Sequence, residues 1–575
     1  MSVTGASTRI AAIVFVLLAP VTVYSQGFDF TDEGGETGDS GSGDSGSGDS
    51  GGFDFGADGG DTVAPQQYTI DESSPTYAAI LQADEYAQRS GYFQAALLYH
   101  QVLTGTDDTA MGLRSRALYE MGRTLFQLGL FQSALSQFDQ IVLQGPTNEY
   151  FLPTLQWLVL ISRELPGEPA RYERIYTNYL NFFPERIDLA LQAEVGYLMG
   201  MAAYQKGLLD DAIFFFGHVG AESELYAKAR FVEGVTFVRK YNGQQAVASF
   251  KDVLRHLGEK GELTREEARL EESTIASLGR VFYQVGHGLW VTGERAKAVN
   301  SWNTAIKYFA TFRQSSPMWL QSLFEASWTY YRVDNFNKAL GLLHTLNSPF
   351  FNDQYFPEAM LLQAQIYFTN CHYDRVMYIL EEYKEQYPKL KEKLENQLTN
   401  LLQPDDVYAF LTSITEQAFD PGTKQLLNAA LQDRDLRRTM NYIDKLDEEM
   451  ERIKNSEQGF ATHALAQSLI QELEITRGFA TNTAGEKAKG RLERVVDELN
   501  RLNNMALDIE IETTEAFGEQ FGQVELDPNA LLEFEREIDA IMSADDEHIF
   551  WTFDGEYWRD ELGYYYYYIN SRCGR

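Results

Sequence analysis

The sequence predicts an all-α chain: a solenoid of stacked helical hairpins, then a helical, coiled-coil-like region, then a short aromatic tail of extended or strand-like character. Three observations predict it. An order of small, aromatic and aliphatic residues recurs, as in "SGYFQAALLYHQVL" (90–103) and "LGLFQSALSQFDQIVLQGP" (128–146). It recurs at a fixed spacing, the mark of supersecondary units that bury their apolar faces only against neighbours. And 575 residues exceed what one ordinary core supports.

Taken in order, the chain begins with the pattern of an export signal over residues 1–25. Arg9 is the one early charge, Ile10 to Ala19 is apolar, and small Val23 and Ser25 precede Gln26. The apolar run is too short to span a bilayer, and no cysteine follows it to accept a lipid. Residues 26–75 read as a disordered linker, because "GGETGDSGSGDSGSGDSGG" offers almost nothing to bury. "GFDF" brackets that tract at 27–30 and 52–55 and reads as a docking element. The carboxylates lack the Asp spacing of a calcium loop, so a solvated spacer is the expectation.

Residues 76–390 carry the repeat. Ala96, Ala134, Ala212, Ala246, Ala298, Ala339 and Val376 mark successive units, mostly 34 to 41 residues apart. A step of 78 residues hides one unit, whose second helix is "RYERIYTNYLNFFP" (171–184), and a step of 52 holds the insertion "GEKGELTREEARLEEST" (258–274). Small residues let paired helices approach, aromatics fill the gap beside them, glycine permits the turn and proline ends the helix.

These positions resemble the tetratricopeptide repeat, in about eight copies. Gly122, Gly129, Ala134, Phe138 and Pro146 match one unit; Gly200, Gly207, Ala212 and Phe216 the next clear one; then Gly234, Ala246 and Phe250, Gly293 and Ala298, and finally Ala339. The resemblance implies a concave groove lined by the first helix of each hairpin, which takes extended peptides or partner helices. Its residues would be Tyr119, Arg123 and Phe126; Tyr197 and Tyr204; Phe231 and Arg239; Tyr283, His287 and Trp290; Trp328, Tyr331 and Arg332; and Phe368. Aromatic faces interspersed with Arg suit peptide recognition, although such rings also pack within and between hairpins.

Residues 391–545 turn to Leu, Glu, Lys and Gln, and predict an antiparallel helical bundle or hairpin, with self-association through 391–520 as the alternative. Leu492, Val495, Val496, Leu499, Leu502 and Met505 space out a coiled-coil-like seam. Pro404, "DPG" (420–422) and "NTAG" (482–485) are expected to break the run. The tail, 546–575, is expected to pack on the bundle and seal its end; its five consecutive tyrosines cannot all point one way. The stretch "FDGEYWRDELG" within it resembles repeat proteins of the myxobacterial gliding-motility envelope apparatus.

Chemistry is not foreseen. The eight histidines are scattered, with no metal-ligand spacing, phosphate loop or nucleophile elbow, so no enzyme, cofactor or metal is expected. Two cysteines exclude a disulfide framework; one Cys371–Cys573 bridge stays open. With 48 basic against 84 acidic residues the net charge is −36, which argues against nucleic acid. The design is similar to periplasmic factors that assist outer-membrane assembly or division. The expected function is therefore an exported scaffold, periplasmic or outer-membrane-associated, binding envelope proteins or peptides; the alternative is a targeting arm for a wall-binding or hydrolytic module in 391–575.

Overall fold

The computed structural model describes residues 69–521, apart from 352–353, 402, 414–418, 420 and 432, together with residues 557–573. The expected export signal and nearly all of the linker lie outside these residues. The structure is 78% helical, and no strand forms among the described residues.

Eight hairpins follow one another, each an A helix and a B helix: α1 (Pro75–Gln88) with α2 (Tyr92–Thr104), α3 (Asp108–Gln127) with α4 (Phe131–Gln144), α5 (Phe151–Glu164) with α6 (Arg171–Tyr179), α7 (Leu189–Gln205) with α8 (Leu209–Gly217). The series continues with α9 (Tyr226–Arg239) and α10 (Gly243–Gly258), α11 (Arg265–Val291) and α12 (Arg295–Phe309), α13 (Trp319–Arg332) and α14 (Phe336–Leu346), α15 (Pro357–Thr369) and α16 (Tyr373–Asn400). Five helices follow: α17 (Pro404–Ser413), α18 (Pro421–Leu431), α19 (Arg434–Lys454), α20 (Gln458–Ala461) and α21 (Ala464–Phe521). The described residues divide into two compact units, 69–229 with 438–483, and 230–437 with 484–573.

One turn closes seven of the eight hairpins. Ser90, Gly129, Gly207, Tyr241, Gly293, Asp334 and Cys371 all adopt positive φ, between 55° and 86°. The N–H of the next residue then reaches the carbonyl five positions back, at 2.7 to 3.0 Å in every case. This is the Schellman closure, which satisfies carbonyls that a helix end would leave bare. Glycine holds that position at no steric cost, and the sequence shows it at three turns; at the other four a larger residue is held left-handed by the same bond.

A second rule fixes the packing. Seven residues before the turn stands Gly122, Gly200, Gly234 or Gly286, and nine after it stands Phe138, Phe216, Phe250 or Trp302. A Cβ on any of these glycines would lie only 2.5 to 2.7 Å from the facing ring. Where the same position holds Ser327 or Ala364, the residue sixteen further on is Leu343 or Leu380. Small faces large, and less small faces less large, as dense packing demands. The register also moves one marker: the turn at Ser90 places Ala95, not Ala96, in line with Ala134 and Ala212, and both alanines are fully buried.

One expected break, at 482–485, is absent, and two other segments prove more helical than their composition suggests. The insertion before α11 becomes helix at Thr264, whose hydroxyl accepts from the Glu267 N–H while Glu267 reaches back to the Thr264 N–H, a reciprocal cap. Pro388 does not end α16, which runs on to Asn400. Leu390 and Leu394 lie beyond that proline and are buried against Leu492, Val495 and Leu499 of α21, burial that offsets the lost backbone bond. "NTAG" lies inside α21, where Gly485 lets the helix press on the Pro404 carbonyl.

The seam of α21 is thus already covered. Leu492 to Leu499 pack with α16, α17 and α18, and Leu502 and Met505 join the core of α13 to α16, all within the second unit. The helices after residue 390 are shared between the two units rather than gathered into a bundle of their own. The described part of the tail packs on α13 to α16, not on such a bundle. It is extended but unpaired with any strand, and Tyr564, Tyr566 and Tyr568 stand outward while Tyr565 and Tyr567 are half-buried.

Candidate partner-binding faces

The repeat register sorts the sequence-predicted groove residues into three kinds. Tyr119, Tyr197 and Phe231 stand three residues before the small position. Their rings rest on Phe138, Phe216 and Phe250 of their own hairpins, with centroids 6.1, 6.2 and 5.6 Å apart. Tyr283 occupies the same place, and its carbonyl accepts from the Trp302 indole at 3.1 Å. Four residues after the small position stand Phe126, Tyr204, Trp290, Tyr331 and Phe368. Here Phe126, Tyr331 and Phe368 lie against Phe131, Phe336 and Tyr373, the first residues of the following B helices. Arg295, at that same B-helix position, covers the Trp290 ring at 4.8 Å. Tyr204, Phe231 and Phe368 are buried outright. These two kinds mainly hold the hairpins together.

The third kind turns toward the neighbouring A helix. In the first unit Arg123 lies over both Tyr119 and Trp157, at 5.8 and 5.6 Å, and pairs with Glu120 at 2.9 Å. Trp157 donates to the Tyr119 hydroxyl at 3.1 Å, and Tyr150 stacks on Tyr119 at 4.8 Å. In the second unit Arg332 donates to the Tyr283 hydroxyl at 3.3 Å and makes no ion pair among the described residues. His287 sits beside it on α11; burial and the Arg332 charge hold its imidazole below the ordinary value, so it is neutral at pH 7. Trp328 is half-buried, edge-on to Tyr331 at 6.0 Å. Burial holds the Tyr331 hydroxyl above its ordinary value. Arg239 is exposed at the end of α9.

The described repeats form a series of helical hairpins that, α5–α6 apart, share one register. That register is a small residue in helix A, the left-handed turn seven later, and a large residue in helix B sixteen later. No family model matches the chain, and no curated protein matches it. Solved structures with similarity include BtubC (BKLC) from P. vanneervenii, 13% identical, with 51% of this chain on 92% of that one at a TM-score of 0.21. The yeast Tom70 is 12% identical over 71% of this chain and 97% of its own, at 0.17. The APC/C hetero-tetramer Cut9-Hcn1 is 12% identical over 77% and 97%, at 0.19. Superpositions this loose carry no argument about function.

Within the array, several residues of the A faces carry no signal in the sequence. Trp157 and Tyr150 escaped because the α5–α6 hairpin lacks the left-handed turn, so its A helix had no register. Arg280 and Glu325 escaped because charged residues look like solvated surface. Arg280 forks onto Glu325 between α11 and α13 at 2.6 to 3.1 Å, with Gln321 donating to the same carboxylate at 2.9 Å. Elsewhere a charge cluster is internally satisfied: Arg174 of α6 binds Glu168 and Asp139 at 2.8 and 2.7 Å. Among the described residues no group of three His, Cys, Asp or Glu is placed to hold a metal ion, and no helix is long and apolar enough to cross a membrane.

Proposed function

We propose that this chain is a non-enzymatic interaction scaffold, exported to the cell envelope, which holds partner proteins or extended peptides on the A-helix faces of its hairpins. The observation that carries the reading is the row made by His287, Trp328 and Arg332. It combines half-buried rings with a guanidinium that no carboxylate among the described residues engages, and Trp and Arg are the side chains that contribute most per residue to protein recognition. Export draws support from the N-terminal signal pattern and from the bond between the only two cysteines, a linkage that persists in oxidising compartments. A periplasmic place in an assembly, division or motility complex is the finer form of the same proposal.

The test is capture by the full-length chain from envelope extract, compared with Trp328→Ala and Arg332→Ala variants whose helicity matches the parent. Proteins retained by the parent and lost by both variants support the scaffold. Retention of wall polymer in place of proteins contradicts it and favours a carbohydrate-binding arm, a reading that draws only on the outward row of Tyr564, Tyr566 and Tyr568.

A further inference from the structure

The second unit contains an extended peptide bound to a helical surface, and the peptide is the chain's own tail. Asn337, near the start of α14, clamps it twice: its carbonyl accepts from the Tyr567 N–H at 3.1 Å and its side-chain oxygen from the Ile569 N–H at 3.0 Å. Thr345 accepts from the Gly563 N–H at 2.9 Å, and the Asn370 carbonyl from Arg572 N–H at 2.9 Å. His372 contacts the Asn570 carbonyl at 2.7 Å, and Arg375 donates to the Tyr567 hydroxyl at 2.6 Å. Gly341 has no side chain where the Tyr565 carbonyl crosses α14, so any Cβ there would collide with it. The seat is therefore shaped for a backbone, not merely greasy.

Without the covalent bond the hold is one-sided, with Leu562, Tyr565, Tyr567 and Ile569 turned inward. Tyr564, Tyr566 and Tyr568 are 76%, 52% and 49% exposed, so every second side chain contributes little burial. Among the described residues no strand takes up the remaining amides. What fastens the end is a disulfide from Cys573 to Cys371, 202 residues away in sequence, at the left-handed turn between α15 and α16. Cys573 is exposed, so its sulfur is open to attack.

We propose that residues 562–573 form a redox-operated latch, which stays docked on α14 and the α15–α16 turn while Cys371 and Cys573 are joined and leaves when a dithiol reductant separates them. A thiolate of the reductant attacks Sγ of Cys573, the Sγ–Sγ bond breaks, and Cys371 departs as a thiolate that takes up a proton. The second thiol of the reductant then displaces Cys573, which is protonated in turn. The reductant is left as a disulfide, and two electrons and two protons have passed to the protein. Joined, the tail docks as part of a closed ring; separated, it must hold by its hydrogen bonds and by the packing of Leu562, Tyr565, Tyr567 and Ile569. Release uncovers Asn337, Gly341 and Thr345, together with apolar Trp319 and Leu323 beneath Gly563.

The experiment is amide hydrogen exchange on the full-length chain, oxidised, reduced with dithiothreitol, and as Cys573→Ser. The latch predicts that the amides of Gly563, Tyr567, Ile569 and Arg572 exchange at least tenfold faster in the reduced chain and in the variant. Protection within α13 to α16 should stay constant, and reoxidation should restore the slow rates. Unchanged protection of those four amides on reduction overturns the proposal, because the bond would then be a bystander. Loss of protection spreading through α13 to α16 also overturns it, because the bond would then hold the unit itself together.

Discussion

Each unit carries later chain across the turn edge of its hairpins, and the two do so with opposite chemistry. In the first unit the cover is a helix. Glu449 of α19 is buried and accepts from the Gln132 and Ser133 N–H groups at 2.9 Å, capping the start of α4 from outside. Arg452 donates to the Gly129 carbonyl at 2.7 Å and Tyr442 to the Gln132 side chain at 2.8 Å. In the second unit the cover is the extended tail. A helix satisfies its own backbone, so α19 needs only side chains to dock. An extended segment brings unsatisfied N–H groups with it, so the tail needs the Asn337 clamp, a glycine to cross and a disulfide to stay. The element that covers an edge determines what that edge must supply.

The largest expected effect falls on the packing common to both units. Trp302 is 1% exposed and faces Gly286, so Trp302→Ala should cost about 3–5 kcal/mol in denaturant unfolding, more than any change at either edge. Next comes the helical edge: Glu449→Ala leaves two helix-start N–H groups bare and should cost about 2 kcal/mol, with Glu449→Gln milder. The extended edge should respond less. Asn337→Ala is expected to cost about 1 kcal/mol or less in global stability, its main effect being faster exchange at Ile569, while Tyr567 keeps the backbone carbonyl as its acceptor. Equal losses at Glu449 and Asn337 would break the contrast between the edges.

A pH titration sharpens it further. In the second unit burial, with Glu358 alongside, raises Glu498 to about 8 from the ordinary 4.5, against the opposing pull of Arg501 and Arg491. The folded chain then keeps a proton that the unfolded chain gives up across that window. Stability from this group is complete below pH 4.5 and is lost as pH rises through 8. Glu498→Gln should flatten that decline in urea midpoints measured from pH 5 to 9, and an unchanged slope would count against it.

The smallest effect is a gain. Tyr241 is almost fully exposed in a left-handed turn, so Tyr241→Gly should raise stability by about 1 kcal/mol, read from a shift in the denaturation midpoint.

What the sequence revealed follows from how few residues satisfy each constraint. Gly122, Gly200 and Gly234 stood out because only glycine fits beside a phenylalanine ring. The left-handed turns at Tyr241 and Asp334 were not legible, since a hydrogen bond from the next residue holds the backbone there whatever the side chain. The groove was legible as a stripe but not residue by residue. Tyr204 and Phe368 share helix spacing with exposed positions, and burial depends on what sits across the hairpin. "NTAG" read as a break because local propensity cannot register that α21 gains from pressing Gly485 onto Pro404.

The central claim is that small-to-large pairing at sixteen residues builds every clear hairpin, and a double-mutant cycle on Gly200 and Phe216 tests it most directly. Gly200→Ala should cost about 1–3 kcal/mol from overpacking against the ring. Added to Phe216→Leu, it should cost much less than it does alone, because the smaller side chain makes room. Strictly additive losses would mean that the two positions do not share a packing site, and the register would fall with them.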